Sequence, residues 1–164
     1  MDKNMIEGRV WKYGDNINTD IISPPAYMEL SIEAASKYAM SPIDESFAEK
    51  FKKGDILVAE NNFGSGSSRE TAPLTLKYLG VDIIVAKSFA RIFYRNAINL
   101  GILAIECAET DKISDLDELE VQYLDGIIIN RTKGETYACS KMPAHIMKII
   151  EIGGLVPFLE TLEK

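Results

Sequence analysis

The sequence predicts a mixed α/β fold in which a parallel βαβαβ segment and antiparallel strands form one mixed sheet, and three observations predict it. The apolar runs Ile56-Leu57-Val58-Ala59, Val81-Asp82-Ile83-Ile84-Val85-Ala86 and Ile102-Leu103-Ala104-Ile105 are separated by helix-length segments. Strands joined this way pair in parallel through right-handed crossovers. Residues 119–139 break instead into three short strand-like runs punctuated by Asp125-Gly126 and Lys133-Gly134, the pattern of an antiparallel meander. Apolar segments are spread evenly, with no repeat, low-complexity tract or linker, so residues 1–164 are expected to form a single domain.

Each element follows in order. Gly8-Arg9-Val10-Trp11-Lys12-Tyr13 alternates like a strand and runs into the turn cluster Gly14-Asp15-Asn16. Residues 19–25 are expected to be an irregular loop, because Pro24 and Pro25 lack backbone donors and bias Ser23 away from helix. A helix is expected around residues 32–40, and Lys52-Lys53-Gly54-Asp55 turns the chain into the strand at 56–59. That strand leads into a helix over residues 67–79, closed by Gly80, with Pro73 either kinking it or delaying its regular part. The strand at 81–86, a helix at 88–99 and the strand at 102–105 follow. After the meander, residues 144–152 are helical, Gly153-Gly154 ends that helix, and residues 155–162 form a last short one.

Composition narrows the function. The 164 residues are 46% hydrophobic and 26% charged, an ordinary globular make-up. Lys and Arg total 18 against 25 Asp and Glu, and the net charge of -7 is scattered, which favours solubility and argues against a nucleic-acid partner. No apolar run approaches the roughly 20 residues that cross a bilayer, and Met1-Asp2-Lys3-Asn4-Met5 does not open a signal peptide. A cytoplasmic protein without a membrane is the expectation. The two cysteines, Cys107 and Cys139, stand far apart in sequence without metal-ligand spacing, so no metal site or disulfide scaffold is expected in this chain.

The stretch that carries chemistry is Asn61-Asn62-Phe63-Gly64-Ser65-Gly66-Ser67-Ser68-Arg69-Glu70. Gly64 and Gly66 allow a tight turn after a buried strand, and Ser67 and Glu70 have the spacing of a capping box. A strand-to-helix turn with a good cap needs no ligand. Arg69 argues for one: a cation in the first helical turn opposes the macrodipole at a cost of roughly 0.3–1 kcal/mol, and an anion between the guanidinium and free N–H groups would offset it. The pattern fits neither the P-loop nor the dinucleotide fingerprint. Arg91 and Arg95, four apart, share a helix face that is read as solvated or ion-paired rather than as an anion site. His145, the single histidine, is read as a surface or packing residue, and the two cysteines as structural thiols. Asp20 and Ser23 serve either as turn devices or as polar site groups.

The run Asn62-Phe63-Gly64-x-Gly66-Ser67-Ser68-Arg69-Glu70, with Ser88-Phe89-Ala90-Arg91-Ile92-Phe93-Tyr94-Arg95-Asn96-Ala97-Ile98-Asn99, resembles the small subunits of 3-isopropylmalate dehydratase and homoaconitase. Gly8-Arg9-Val10-Trp11, Gly14-Asp15-Asn16-x-x-Thr19-Asp20 and Gly153-Gly154-Leu155 extend the likeness over nearly the whole chain. The resemblance implies the swivelling β/β/α domain of the aconitase superfamily, and a large-subunit partner that holds a [4Fe–4S] cluster on three cysteines. It implies that Ser67 is the base acting on the substrate carbon beside a carboxylate, that Ser68 supports the same oxyanion region, and that Arg69 binds a substrate carboxylate. Asp20 and Ser23 would line the site, and the partner's iron would act as Lewis acid on a small dicarboxylate substrate.

The same resemblance makes residues 27–30, Tyr27, Met28, Glu29 and Leu30, a specificity loop. Homoaconitase-like loops carry an arginine there for an additional carboxylate; none stands between Asp20 and Ile32, and Glu29 would repel such a group. Met28 and Leu30 suit an apolar branch. The implied activity is that of a hydro-lyase, 3-isopropylmalate dehydratase of leucine biosynthesis, active only with its large subunit. The alternatives are a dehydratase for another alkylmalate, of the 2,3-dimethylmalate or citramalate type, a homoaconitase, or a non-catalytic anion-binding module.

Overall fold

The computed structural model describes residues 5–67 and 70–162. The chain opens with β1 (Ile6–Lys12), followed by three short helices, α1 (Thr19–Ile22), α2 (Ile32–Ser36) and α3 (Phe47–Lys50). Then strand and helix alternate: β2 (Ile56–Val58), α4 (Thr71–Leu79), β3 (Ile83–Ala86), α5 (Arg91–Asn99) and β4 (Leu103–Glu106). The strands β5 (Glu118–Gln122), β6 (Ile127–Asn130) and β7 (Glu135–Ala138) follow, and α6 (Ala144–Glu151) and α7 (Leu155–Leu162) close the chain. Among the described residues no helix is long and apolar enough to cross a membrane.

All seven strands join one sheet in the order β4-β3-β2-β1-β5-β6-β7. β1 to β4 pair in parallel, and β5, β6 and β7 add on antiparallel. β2, β3 and β4 are buried on both faces but for Glu106, so their residues divide between two cores. Val10, Ile56, Val58 and Val85 face one core, where Leu119, Val121, Ile128 and Tyr137 of the antiparallel strands join them; the sheet therefore curls over its own face. Leu57, Ile84 and Ala86 face the other, packed with Ile22, Met40, Phe47, Phe63, Leu76 and Phe93 from the helical side. The curl brings the sheet's two ends together: Ser140 N–H donates to the Glu106 carbonyl at 2.8 Å, and Glu106 N–H to Ser140 Oγ at 2.9 Å.

The mixed parallel and antiparallel sheet is the one the sequence predicts, with differences at helix boundaries. The helix expected over 67–79 begins at Thr71, and its proline is the reason: Pro73 fits the first turn, where its missing N–H costs no internal bond, but not a helix interior. Pro73 delays the helix and lies in its first turn rather than in its interior. Gly80 closes it in the left-handed conformation, φ 98°, as expected. The helix expected at 88–99 starts at Arg91, because Ser88 is engaged in a loop hydrogen bond. The helix expected at 32–40 stops at Ser36, and Met40 instead adopts φ 65° with its N–H turned back onto the Ile21 and Ile22 carbonyls. The expected loop at 19–25 contains a helical turn, α1, capped by the Asn18 side chain. The α3 turn is absent from the sequence reading; Phe47 and Phe51, one turn apart, bury against Trp11.

Candidate functional site

β1, β2 and β3 run parallel and end on the same edge of the sheet, so the three loops that follow them meet there. In open α/β sheets this carboxyl edge is where ligands bind. Backbone hydrogen bonds stitch the loops together: Asn16 N–H to the Asn61 carbonyl, Gly64 N–H to Ile17, Thr19 N–H to Ser65, each at 2.8 Å, and Phe63 N–H to Ser88 at 3.0 Å. Side chains complete the lacing. Asp15 Oδ1 accepts the Asn61 N–H at 2.9 Å, Asn62 donates to Asn16 Oδ1 at 3.1 Å, and Ser88 Oγ accepts the Asn62 N–H at 2.8 Å.

The Gly/Ser turn sits at the centre of this lacing. Gly64 has φ 84° and Gly66 φ 110°, conformations that glycine adopts at little cost. Ser67 follows, exposed, with its N–H donating to Thr19 Oγ1 at 3.0 Å. Thr19 is itself buried, so a fixed oxygen from α1 holds the turn from beneath. The capping box expected between Ser67 and Glu70 does not form: Glu70 occupies the N-cap position of α4 without a side-chain cap bond, and Ser67 lies outside the helix. Gly66 in its left-handed conformation and the Pro73-delayed start separate the two. Ser68 and Arg69 lie outside the described residues.

Thr19 also opens α1, which places Asp20 beside the Ser67 turn, exposed and in the first turn of that helix. Asn18, not Asp20, is the capping side chain, accepting the Ile21 N–H at 2.9 Å. Ser23 terminates α1 with its N–H on the Thr19 carbonyl and is buried. The chain then makes a tight turn over Pro25–Tyr27. Met28, Glu29 and Leu30 are exposed, while Tyr27 is half-buried with its ring stacked on Tyr38.

Beneath the lacing, the ends of β1, β2 and β3 carry a charged row. Lys12 Nζ lies 3.0 Å from Glu60 Oε2 and Lys87 Nζ 3.2 Å from Glu60 Oε1, with Asp111 3.3 Å beyond Lys87. Burial alone would raise the Glu60 carboxyl, but the neighbouring Lys12, Thr110 and Lys87 outweigh it and hold the pKa below the usual carboxylate value. Lys12 also donates to the Thr110 and Ile113 carbonyls, both at 2.7 Å, which ties this row to the chain leaving β4.

Comparison with known proteins decides the family. Residues 15–110 match the family described as Aconitase C-terminal domain. The 3-isopropylmalate dehydratase small subunit 1 of Archaeoglobus fulgidus is 50% identical over 158 residues, covering 96% of this chain and 98% of that one. This chain belongs to the 3-isopropylmalate dehydratase small-subunit family of the aconitase superfamily. The isopropylmalate/citramalate isomerase small subunit of Methanocaldococcus jannaschii is 48% identical over 96% of this chain and 95% of its own length. A crystal structure of 3-isopropylmalate dehydratase from the same organism superposes with a TM-score of 0.91 at 41% identity, covering 97% of this chain and 95% of that one.

As a member of that small-subunit family, the chain brings Ser67 and Asp20 to one strand edge through Thr19, while Ser23 is buried one turn further on. Thr19 itself is the site residue that the sequence reading passes over. The sequence sets Thr19 beside Asp20 but carries no sign of its partner, which lies 48 residues further along the chain. Asn16, Asn61 and Ser88 stand in the quoted motifs, but their meeting is not legible in the sequence, because only the parallel sheet brings them together. Arg91 and Arg95 share an exposed face, as expected, and make no ion pair among the described residues. His145 is exposed. Cys107 and Cys139, far apart in sequence, both pack into the core inside the curled sheet.

Proposed function

We propose that this chain is the small subunit of a hydro-lyase that interconverts 2- and 3-isopropylmalate by dehydration and rehydration, with Ser67 as the base. The observation that carries the reading is Ser67 itself, exposed on a left-handed glycine turn and held by a buried Thr19 oxygen at a strand edge. In the forward direction the Ser67 oxygen, as alkoxide, takes the proton from the carbon beside a substrate carboxylate while the hydroxyl on the neighbouring carbon leaves. Returning that proton to the carbon that lost the hydroxyl, while hydroxide adds to the carbon that lost the proton, regenerates the alkoxide and completes the isomerisation. Backbone N–H groups of the turn and the Arg69 guanidinium supply the positive potential that an alkoxide needs. Arg69 binds a substrate carboxylate, Ser68 supports the same oxyanion region, and Asp20 and Ser23 contribute from the α1 side.

This chain's own residues do not fit an iron–sulfur cluster. It has two cysteines, Cys107 and Cys139, whose thiols burial pushes above their usual pKa, and among the described residues no three His, Cys, Asp or Glu groups are placed to hold a metal. The [4Fe–4S] cluster of the reaction is assigned to a large-subunit partner, where it supplies Lewis-acid chemistry at the leaving hydroxyl. The names of the relatives, small subunits throughout, support such a partner.

Residues 27–30 contact the substrate's branch in this reading. Met28 and Leu30 are 41% and 45% exposed, available to an alkyl group, and the segment carries no arginine for an additional carboxylate. Citramalate belongs on the test panel because one relative carries it in its name.

The test is turnover of 3-isopropylmalate, citramalate, 2,3-dimethylmalate and homoaconitate by this chain mixed anaerobically with a cluster-loaded large subunit from the same source. Activity in the mixture alone, highest on 3-isopropylmalate, is expected. Ser67→Ala should lower kcat by about 10²–10⁴-fold with assembly retained. Normal turnover by that variant would remove Ser67 as the base, and an inactive complex on the whole panel would overturn the substrate assignment.

A further inference from the structure

Among the described residues, the segment assigned above to substrate selection makes its backbone hydrogen bonds locally. Tyr27 N–H donates to the Pro24 carbonyl at 3.0 Å, Met28 to Pro25 at 3.2 Å and Leu30 to Tyr27 at 3.1 Å. Such bonds shape the turn but do not fix where it stands relative to the sheet edge. A tie to the body of the protein runs through a side chain: the Tyr27 ring lies on the Tyr38 ring, centroids 3.7 Å apart and planes inclined by 6°.

Tyr38 is placed to serve as an anchor. It follows α2 in a series of tight turns, its N–H on the Ala35 carbonyl and its carbonyl accepting from Ser41. Two residues on, Met40 is fully buried in a left-handed conformation, φ 65°, which a methionine adopts only under constraint. The Met40 N–H is shared between the Ile21 and Ile22 carbonyls at 3.1 and 3.3 Å. Tyr38 therefore stands on backbone clamped to α1, the same helix whose first residue, Thr19, holds the Ser67 turn. The path from Ser67 through Thr19, Ile22 and Met40 to the tyrosine pair is continuous. Tyr38 is itself 39% exposed and outside the segment that carries Met28 and Leu30, so its ring acts through Tyr27.

We propose that Tyr38 is a positioning residue for substrate selection: by stacking on Tyr27 it fixes residues 27–30 relative to Ser67, and so sets the preference for the length of the substrate's alkyl branch. This rests on the assignment of residues 27–30 to the substrate branch. A longer branch reaches the segment and senses its position; a methyl branch reaches it less.

The experiment compares Tyr38→Ala, Tyr38→Phe, Tyr27→Ala and the Tyr27→Ala/Tyr38→Ala pair, each assembled with the large subunit, on 3-isopropylmalate and citramalate. Tyr38→Ala should raise KM for 3-isopropylmalate about tenfold, the size expected for a lost apolar fit, with kcat within about twofold and citramalate little changed. Tyr38→Phe, which keeps the ring, should restore the wild-type ratio. In the double variant the two losses should not add, since each removes the same stack. Wild-type selectivity in Tyr38→Ala, equal loss on both substrates, additive losses, or failure of Tyr38→Phe to rescue would each overturn the proposal. A Met28→Ala/Leu30→Ala variant separates the two levels. If it shifts selectivity and Tyr38→Ala does not, the anchor is wrong; if it leaves selectivity unchanged, the assignment of the segment fails and the anchor with it.

Discussion

Gly64 lies against the ring of Phe93 so closely that a Cβ added to it would fall 2.2 Å from Phe93 Cγ. Its φ of 84° independently disfavours any side chain. Phe93, from the first turn of α5, fills the space beneath the Gly/Ser turn and meets Phe63 edge to face, centroids 5.2 Å apart. The ring supports the turn from the core, and the missing Cβ lets the turn come down onto it.

Gly64→Ala is therefore expected to destabilise the fold by about 2–5 kcal/mol, the combined cost of overpacking and a left-handed alanine. Urea unfolding would show it as a lower midpoint at unchanged slope. Adding Phe93→Leu should recover only part of the loss, because it opens space without relieving the backbone. Full recovery would mean that the contact alone, and not the conformation, excludes a side chain at Gly64.

Thr19 gives a prediction that separates folding from turnover. Its Oγ1 accepts the Ser67 N–H at 3.0 Å and is also the atom that a Cβ at Gly66 would meet. Thr19→Val keeps the shape and removes the acceptor, leaving the Ser67 N–H without it. The expected stability cost is about 1–3 kcal/mol, and the assembled enzyme should lose about 10²-fold in kcat as Ser67 shifts. Thr19→Ser retains the oxygen and should keep most of the activity. Equal kcat in Thr19→Val and wild type would show that Ser67 does not depend on this bond.

Thr19 also marks the limit of what the sequence can disclose. The β-branched runs at 56–59, 81–86 and 102–105 and the glycine turns at 126 and 134 define the strands, because burial on both faces or on one leaves a direct trace in residue type. The Gly64 and Gly66 turn was equally legible, since its backbone excludes other residues. The start of α4 was not: Ser67 and Glu70 have ideal capping spacing, and the competing claim on Ser67 comes from Thr19, 48 residues earlier in the chain. Local spacing carries no trace of a partner that arrives only when β1 and β2 pair. The same holds for Cys107 and Cys139, distant in sequence, which the curl of the sheet brings into one core through the Glu106–Ser140 contact.

That contact bears on thiol reactivity. The Cys139 thiol is pushed up to about 12, first by burial and then by the nearby Cys107, and burial raises Cys107 as well. At pH 8 nearly all of Cys139 would be the thiol rather than the reactive thiolate. Neither cysteine should react appreciably with iodoacetamide at pH 8 in the folded protein, whereas both should label promptly in denaturant. Mass spectrometry of the labelled chain checks this. Rapid labelling of Cys139 under native conditions would show that the two ends of the sheet separate in solution.

The charged row under the site makes stability depend on pH in a stated direction. Glu60, between Lys12 and Lys87, has its carboxyl pKa held below its ordinary value in the folded state. Between the folded and the ordinary value the unfolded chain binds more protons, so stability rises with pH there. The contribution is fully present above about pH 4.5, the range of an ordinary glutamate, and is lost as pH falls through the lowered folded value. Asp44 and Asp117, also lowered, add to the same acid-side slope. Glu60→Gln should flatten that slope and, near neutrality, cost about 1–3 kcal/mol by leaving Lys12 without its carboxylate and Lys87 with Asp111 alone. Thermal unfolding from pH 3 to 7 tests both parts. Parallel wild-type and Glu60→Gln curves across the acid range would mean that Glu60 titrates alike in the folded and unfolded chains, and that the lysines do not hold it.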